Sequence, residues 1–257
     1  MIIGNGGELL VSKATIDSCL YNWLGYGNIG GRVWFIGTEE GGAEIWKQKT
    51  ISLEESLKIR STFNVSMDFR TVWEEYYNIP LEQFNTPNVW RYMAAFLMYL
   101  NNYEVNTEKI REYIFYSKKL GSISSDHFMC ELLPLPKPKK EEIQPYDSIW
   151  ANVNAYYDEV LSKRFELIRT NILQNENVKL LVSYDVDATN LLIKGLSNEI
   201  TLVDKCEHKK DRFYFIYKIS LGNFRVIYLL VTPFFGNGQA SYEGLRIAAT
   251  KISKLNT

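Results

Sequence analysis

Apolar and polar positions along this chain switch between two periods, and the switches mark its elements. Residues 33–36, Val-Trp-Phe-Ile, form a continuous run of β-branched and aromatic side chains stopped by Gly37, which predicts a buried strand. Residues 127–133 (HFMCELL) and 178–183 (VKLLVS) predict two further central strands, and 200–203 a short one. Residues 213–219 and 224–231 flank Leu221-Gly222-Asn223, the pattern of a hairpin or a sharp strand reversal. Elsewhere the apolar positions recur at helical spacing. A helix is expected over about 14–24, ahead of a glycine-rich turn at 25–31, and a helical region runs from Ala43 to about Arg60. An aromatic stretch holding Phe63, Phe69, Trp73, Tyr76 and Tyr77 stops near Pro80. Thr86-Pro87 opens a helix with Pro87 in its first turn and Val89, Trp90, Met93, Phe96 and Leu97 on a broad apolar face. Asn106 or Thr107 caps the next, which buries Ile110, Tyr113, Ile114 and Leu120 and stops at Gly121. Further helices are expected over 149–174 and 187–196, and a last one follows Ser241 as N-cap.

Strands alternating with helices predict an α/β fold of three layers, α/β/α, with a central, mainly parallel sheet of four or five strands. The proline-rich residues 134–145 read as an extended loop, because a long helix follows at once, so residues 1–257 form a single domain with 1–31 as a helical lead-in.

Composition narrows the function classes. The 29 basic and 30 acidic residues leave a net charge of -1, so no global field draws the chain onto polyanions and a nucleic-acid role requires a local basic patch. Two loops offer one: Lys137, Lys139 and Lys140, or Lys209, Lys210 and Arg212. Each also fits an ordinary solvated turn. Cys19, Cys130 and Cys206 lie far apart without metal spacing, which fits a reducing cytoplasm. With no apolar run near membrane length and no signal-peptide pattern, a cytoplasmic protein without a membrane partner is expected. No P-loop, dinucleotide fingerprint or Gly-x-Ser-x-Gly motif occurs, and His127 and His208 lack metal-binding partners, so no cofactor or metal is expected.

Three strand ends carry unusual residues. After the first strand come Gly37, the adjacent acids Glu39 and Glu40, and then Gly41 and Gly42; the second strand holds Glu131 ahead of Pro134-Leu135-Pro136; the last ends in 232–241, TPFFGNGQAS. In an open parallel sheet, ligands bind in the crevice outside the carboxyl ends of the strands, and glycines there admit a ligand to the backbone. The alternative is a tight strand-to-helix turn whose acids complement the helix dipole.

At these places the chain resembles the uracil-DNA glycosylase superfamily. Residues 33–41, VWFIGTEEG, are similar to the family's first strand and its Gly-x-Asp-Pro or Gly-x-Asn-Pro-Gly turn, with Glu39 at the water-activating position and Glu40 where the family has Pro. Glu131 falls where the base-reading Asn stands, and Pro134-Leu135-Pro136 resembles a Pro-x-Pro that follows it. Residues 179–192 look like the third strand and its helix, and 231–241 take the place of the His-Pro-Ser turn, with Thr232 at the His position and Phe234 at the Ser position.

The resemblance implies hydrolysis of the N-glycosidic bond of a damaged or deaminated base in DNA, with Glu39, Glu40 and Thr232 as the catalytic candidates. Gly37, Gly41, Gly42, Glu131, Phe234 and Phe235 are the candidates for binding the base or substrate, and Gly236, Asn237, Gly238, Gln239 and Ser241 for holding phosphate. The expected partner is nucleic acid or a nucleotide. Thr232 donates a weaker hydrogen bond to a departing base than the family's His, and an ionised Glu131 only accepts, so it selects an amino-bearing base edge. A second reading is therefore a non-catalytic nucleotide- or nucleic-acid-binding member of the same fold, and a third gathers the three acids as the metal site of an unrelated hydrolase. Three acids in one pocket raise at least one pKa, attract a cation, or do not converge.

Overall fold

The computed structural model describes residues 11–83, 87–117, 119–196, 200–209, 211–221, 225–236 and 238–255. The expectations for residues 1–10, Thr86, Lys210, Gly222, Asn223, Phe224 and Asn237 lie outside the described residues.

In chain order the elements are α1 (Lys13–Tyr21), β1 (Trp23–Gly27), β2 (Val33–Glu39), α2 (Ala43–Trp46), α3 (Leu53–Ser61), β3 (Val65–Met67) and α4 (Phe69–Thr71). They continue with α5 (Asn88–Leu100), α6 (Thr107–Arg111), β4 (His127–Leu133), α7 (Val153–Gln174) and β5 (Leu180–Ser183). The remainder is α8 (Val186–Gly195), β6 (Ile200–Glu207), β7 (Phe213–Ser220), β8 (Val226–Val231) and α9 (Tyr242–Leu255). Asn106 is the cap of α6, accepting from the Lys109 amide, and that helix gives way to a π-helical turn, Glu112–Tyr116, before reaching Leu120. Pro87 caps α5 from outside its first turn.

The chain is mixed α/β, with one sheet of eight strands in the order β3-β1-β4-β2-β5-β8-β7-β6, larger than the four or five expected. Its centre is parallel: β4, β2, β5 and β8 run the same way, whereas β1 on one side and β7 and β6 on the other are antiparallel to their inner neighbours. β1 escapes the periodicity because its sequence, WLGYG, is broken by glycines that the packing requires. A Cβ on Gly25 would fall on the Met129 carbonyl oxygen and lie 3.0 Å from Cys130 Cα.

Alternate strand positions feed two cores, as the period of two dictates. Val33, Phe35, Met129, Val182 and Leu230 pack with residues of α5 and α9. Trp34, Ile36, Phe128, Leu181 and Leu229 pack with residues of α7 and α8. Each such burial stabilises the fold by about 1.5–3 kcal/mol.

Arg164 of α7 is fully buried and binds backbone alone. It donates to the carbonyls of Leu20 (2.8 Å), Trp23 (2.5 Å), Leu24 (2.8 Å) and Glu131 (3.3 Å), fastening α1 and β1 to the end of β4. Among the described residues, no helix is long and apolar enough to cross a membrane.

Candidate functional site

Because β4, β2, β5 and β8 are parallel, their carboxyl ends share one edge of the sheet. From β2 the chain reaches β4 on one side and later β5 on the other, so the β2/β5 boundary is the switch point where a crevice is expected.

Both faces of that boundary are filled by protein. On the α8 face, Thr38 Oγ1 donates to Asp185 Oδ1 (2.5 Å) and accepts from the Ala188 amide (2.9 Å). On the α5 face, the Tyr184 hydroxyl donates to Glu131 Oε1 (2.7 Å) over Gly37. A Cβ on Gly37 would fall on Glu131 Oε2 and the Tyr184 hydroxyl, so glycine here makes room for a carboxyl group instead of a ligand. Gly37→Ala is expected to lower stability by about 1–3 kcal/mol. Urea unfolding against Gly41→Ala, whose added Cβ meets nothing within 4 Å, measures it.

Two of the three acids, Glu39 and Glu40, each have a cationic partner. Glu39 Oε1 lies 3.0 Å from Lys137 Nζ; the lysine side chain is buried and that of Glu39 nearly so. Lys137 also donates to the Lys140 and Glu142 carbonyls (2.8 and 3.1 Å), so it is a buried lock and no part of a basic surface. Burial raises the Glu39 pKa and the Lys137 ammonium opposes the rise. Glu40 is gripped by both terminal nitrogens of the fully buried Arg60, with Nη2 at 2.8 Å, and its Oε1 also accepts from the Tyr26 hydroxyl (3.1 Å). The same guanidinium reaches Glu44 (2.8 Å), a buried acid that the sequence pattern does not single out.

Among the described residues, none forms an ion pair with Glu131. Its residue is part-exposed through other atoms, but Oε2 has neither solvent access nor a hydrogen-bond partner. Burial, opposed by the Tyr184 hydroxyl and assisted by Glu40, Asp185 and Glu39, pushes its pKa up to about 8. That shift favours the protonated acid at pH 7, in place of the ionised group expected; Oε1 accepts from Tyr184, and among the described residues none accepts from Oε2. Among the described residues, no group of three His, Cys, Asp or Glu side chains is placed to hold a metal ion.

The third turn joins the same edge. Thr232 is buried; its amide donates to the Ser183 carbonyl (2.9 Å) and its hydroxyl to the Pro233 carbonyl (3.0 Å). Phe235 is fully buried and stacks on Tyr184, with ring centroids 5.2 Å apart and planes at 12°. Tyr184 thus bridges the Glu131 strand end and the Thr232 turn. Phe234 is half-buried and lies over Gly236, whose carbonyl accepts from Asn88 (3.1 Å).

The expected phosphate cradle is differently built. The Ser241 amide donates to the Tyr214 hydroxyl (3.1 Å), and the Ser241 hydroxyl caps the Gly244 amide (3.1 Å). Gly238, at φ +72°, and Gln239 turn their carbonyls to Arg212, at 3.4 and 3.0 Å. Arg212 is thus the positive group of this loop. Gly42, at φ +53°, packs against Pro136 and Trp46, and Gly41 is exposed.

Beside the sealed boundary, one strand further along, lies an open cleft of about 560 Å³. It is lined by Val186 and Thr189 of α8, Phe213 and Phe215 of β7, the Thr232 turn, and Asp211, Arg212 and Gln239. The aromatic walls come from a strand whose alternation marks it in sequence only as half-buried. In comparisons with protein-family models, curated proteins and solved structures, nothing matches this chain.

Proposed function

We propose that this protein is a non-catalytic nucleotide- or nucleic-acid-binding member of a three-layer, uracil-DNA glycosylase-like α/β/α fold. The parallel order β4-β2-β5-β8, with helices packed on both faces and the three unusual turns on one edge, supports that kinship. One observation carries the binding reading. The acids that hydrolysis requires are locked to Lys137 and Arg60 or sealed against Tyr184, while the adjacent cleft is open and offers an arginine beside two aromatic rings. A guanidinium suits phosphate and an aromatic face suits a base.

The hydrolase reading keeps one point in its favour: a protonated carboxyl has a donor and an acceptor, as a base-reading amide has, and burial favours that form of Glu131. Incubation with single- and double-stranded oligonucleotides carrying uracil, hypoxanthine or alkylated bases separates the two. Salt-sensitive binding, weakened by Arg212→Ala and without abasic product, is the expected result. Abasic sites that disappear in Glu39→Gln would establish the hydrolase instead.

A further inference from the structure

The cleft continues along β7 as a strip of half-buried aromatic rings. Phe213, Phe215 and Tyr217 are two residues apart and so share one face of the sheet, the face toward α8. Their centroids are 6.0 and 6.4 Å apart in succession, with interplanar angles of 40° and 29°. All three are half-buried, whereas Tyr214 and Ile216, on the opposite face, are fully buried. α8 faces the strip at the cleft wall through Val186 and Thr189, and Tyr217 packs at the margin of the core cluster that holds residues of α7 and α8. The neighbouring edge strand leaves Leu202, paired with Tyr217, half exposed.

Three cations stand beside the strip. Lys205, paired with Phe215 across the sheet, holds its Nζ 3.6 Å from the Phe213 ring centroid and 5.3 Å from that of Phe215. Lys209 and Arg212 flank the turn into β7, and neither they nor Lys205 form an ion pair with a described carboxylate. Of the two carboxylates at that turn, Glu207 accepts from the Asp211 amide (3.1 Å), and Asp211 lines the cleft beside Arg212.

Building on the binding reading above, we infer that the ligand is single-stranded nucleic acid. Successive bases lie on Phe215 and Tyr217, one nucleotide enters the cleft, and Lys205 and Arg212 hold phosphates. Unpaired bases expose the π-faces that such a strip recognises, and a duplex hides them. An anionic backbone also meets the three cations without requiring a negative partner protein.

Fluorescence anisotropy with labelled oligothymidylate of increasing length, the matching duplex and thymidine monophosphate as competitor tests this. Affinity is expected to rise over the first few nucleotides and to exceed that for the duplex. Phe215→Ala is expected to weaken binding about tenfold, with Phe215→Tyr retaining it. Lys205→Ala is expected to lower the slope of log affinity against log salt by about 0.7, the value for one phosphate on a single strand. Tighter binding by Lys205→Ala would mean that the lysine merely shields the rings, and would overturn the inference.

Equal affinity for monophosphate and oligomer, unchanged by Phe215→Ala, would overturn the strip while leaving the cleft reading intact. Absence of binding to every nucleotide would overturn both. A dimer in sedimentation that Leu202→Arg dissociates would assign the strip to a second copy of the chain and overturn it equally.

Discussion

Arg60→Met is expected to cost about 3–5 kcal/mol of folding stability, the penalty for breaking a buried ion pair from one side. The guanidinium is enclosed. It lies 5.0 Å from the Trp23 ring centroid, grips Glu40, bonds Glu44 Oε1 at 2.8 Å and takes Ser56 Oγ at 3.2 Å through Nε. Methionine fills much of the volume but leaves two carboxylates facing each other away from water. Burial already raises the Glu44 pKa against the opposing pull of Arg60, so removing Arg60 raises it further. The variant then holds a proton that its unfolded chain gives up, and its stability falls as pH rises. Urea titrations at pH 5 and pH 8 should therefore show the larger deficit at pH 8, and adding Glu40→Gln and Glu44→Gln should recover part of it. A deficit below about 1 kcal/mol, the size typical of an exposed pair, would mean that the cluster does not hold the β2 turn in place.

That cluster also shows where sequence reasoning stopped. The strands at 33–36, 127–133 and 178–183 were legible because both faces of a central parallel strand are buried, which leaves a continuous apolar run. Glu39, Glu40, Glu131 and Thr232 were legible as strand-end residues for the same reason: each interrupts or follows such a run. Their partners were not. Arg60 sits in a helix whose last turn ordinarily carries a base, and Lys137 in a loop whose other lysines, Lys139 and Lys140, form surface pairs with Glu142 and Asp187. Nothing local distinguishes a lysine that is 3% exposed from its solvated neighbours. Tyr184 and Asp185 follow the third strand as Glu39 follows the first, and that shared position is the signal by which they are found. The aromatic strip on β7 reads in sequence as an ordinary half-buried strand, because alternation reports which residues share a face and not what covers it.

Replacing Glu131 by Gln is expected to abolish much of the pH dependence of stability between about pH 4.5 and 8. In the folded chain burial holds the Glu131 proton up to about pH 8, whereas the unfolded chain releases it near the ordinary 4.5. Below 4.5 both states carry the proton and the contribution to stability is complete. As pH rises the unfolded state ionises first, so stability falls at up to about 1.4 kcal/mol per pH unit until the folded group also ionises, and then levels off. Glutamine is neutral throughout and keeps an oxygen to accept from Tyr184. Relative to the parent, Glu131→Gln should thus be near neutral at pH 4 and more stable at pH 9 by on the order of 5 kcal/mol. The slope left over belongs in part to Glu39 and Glu44, whose pKa values burial also raises. Tyr184→Phe moves the parent the other way. It removes the hydroxyl that favours the ionised acid, raises the Glu131 pKa further and carries the decline to higher pH. Parallel stability curves for the parent and Glu131→Gln would refute a protonated Glu131 in the space that Gly37 leaves beneath Tyr184.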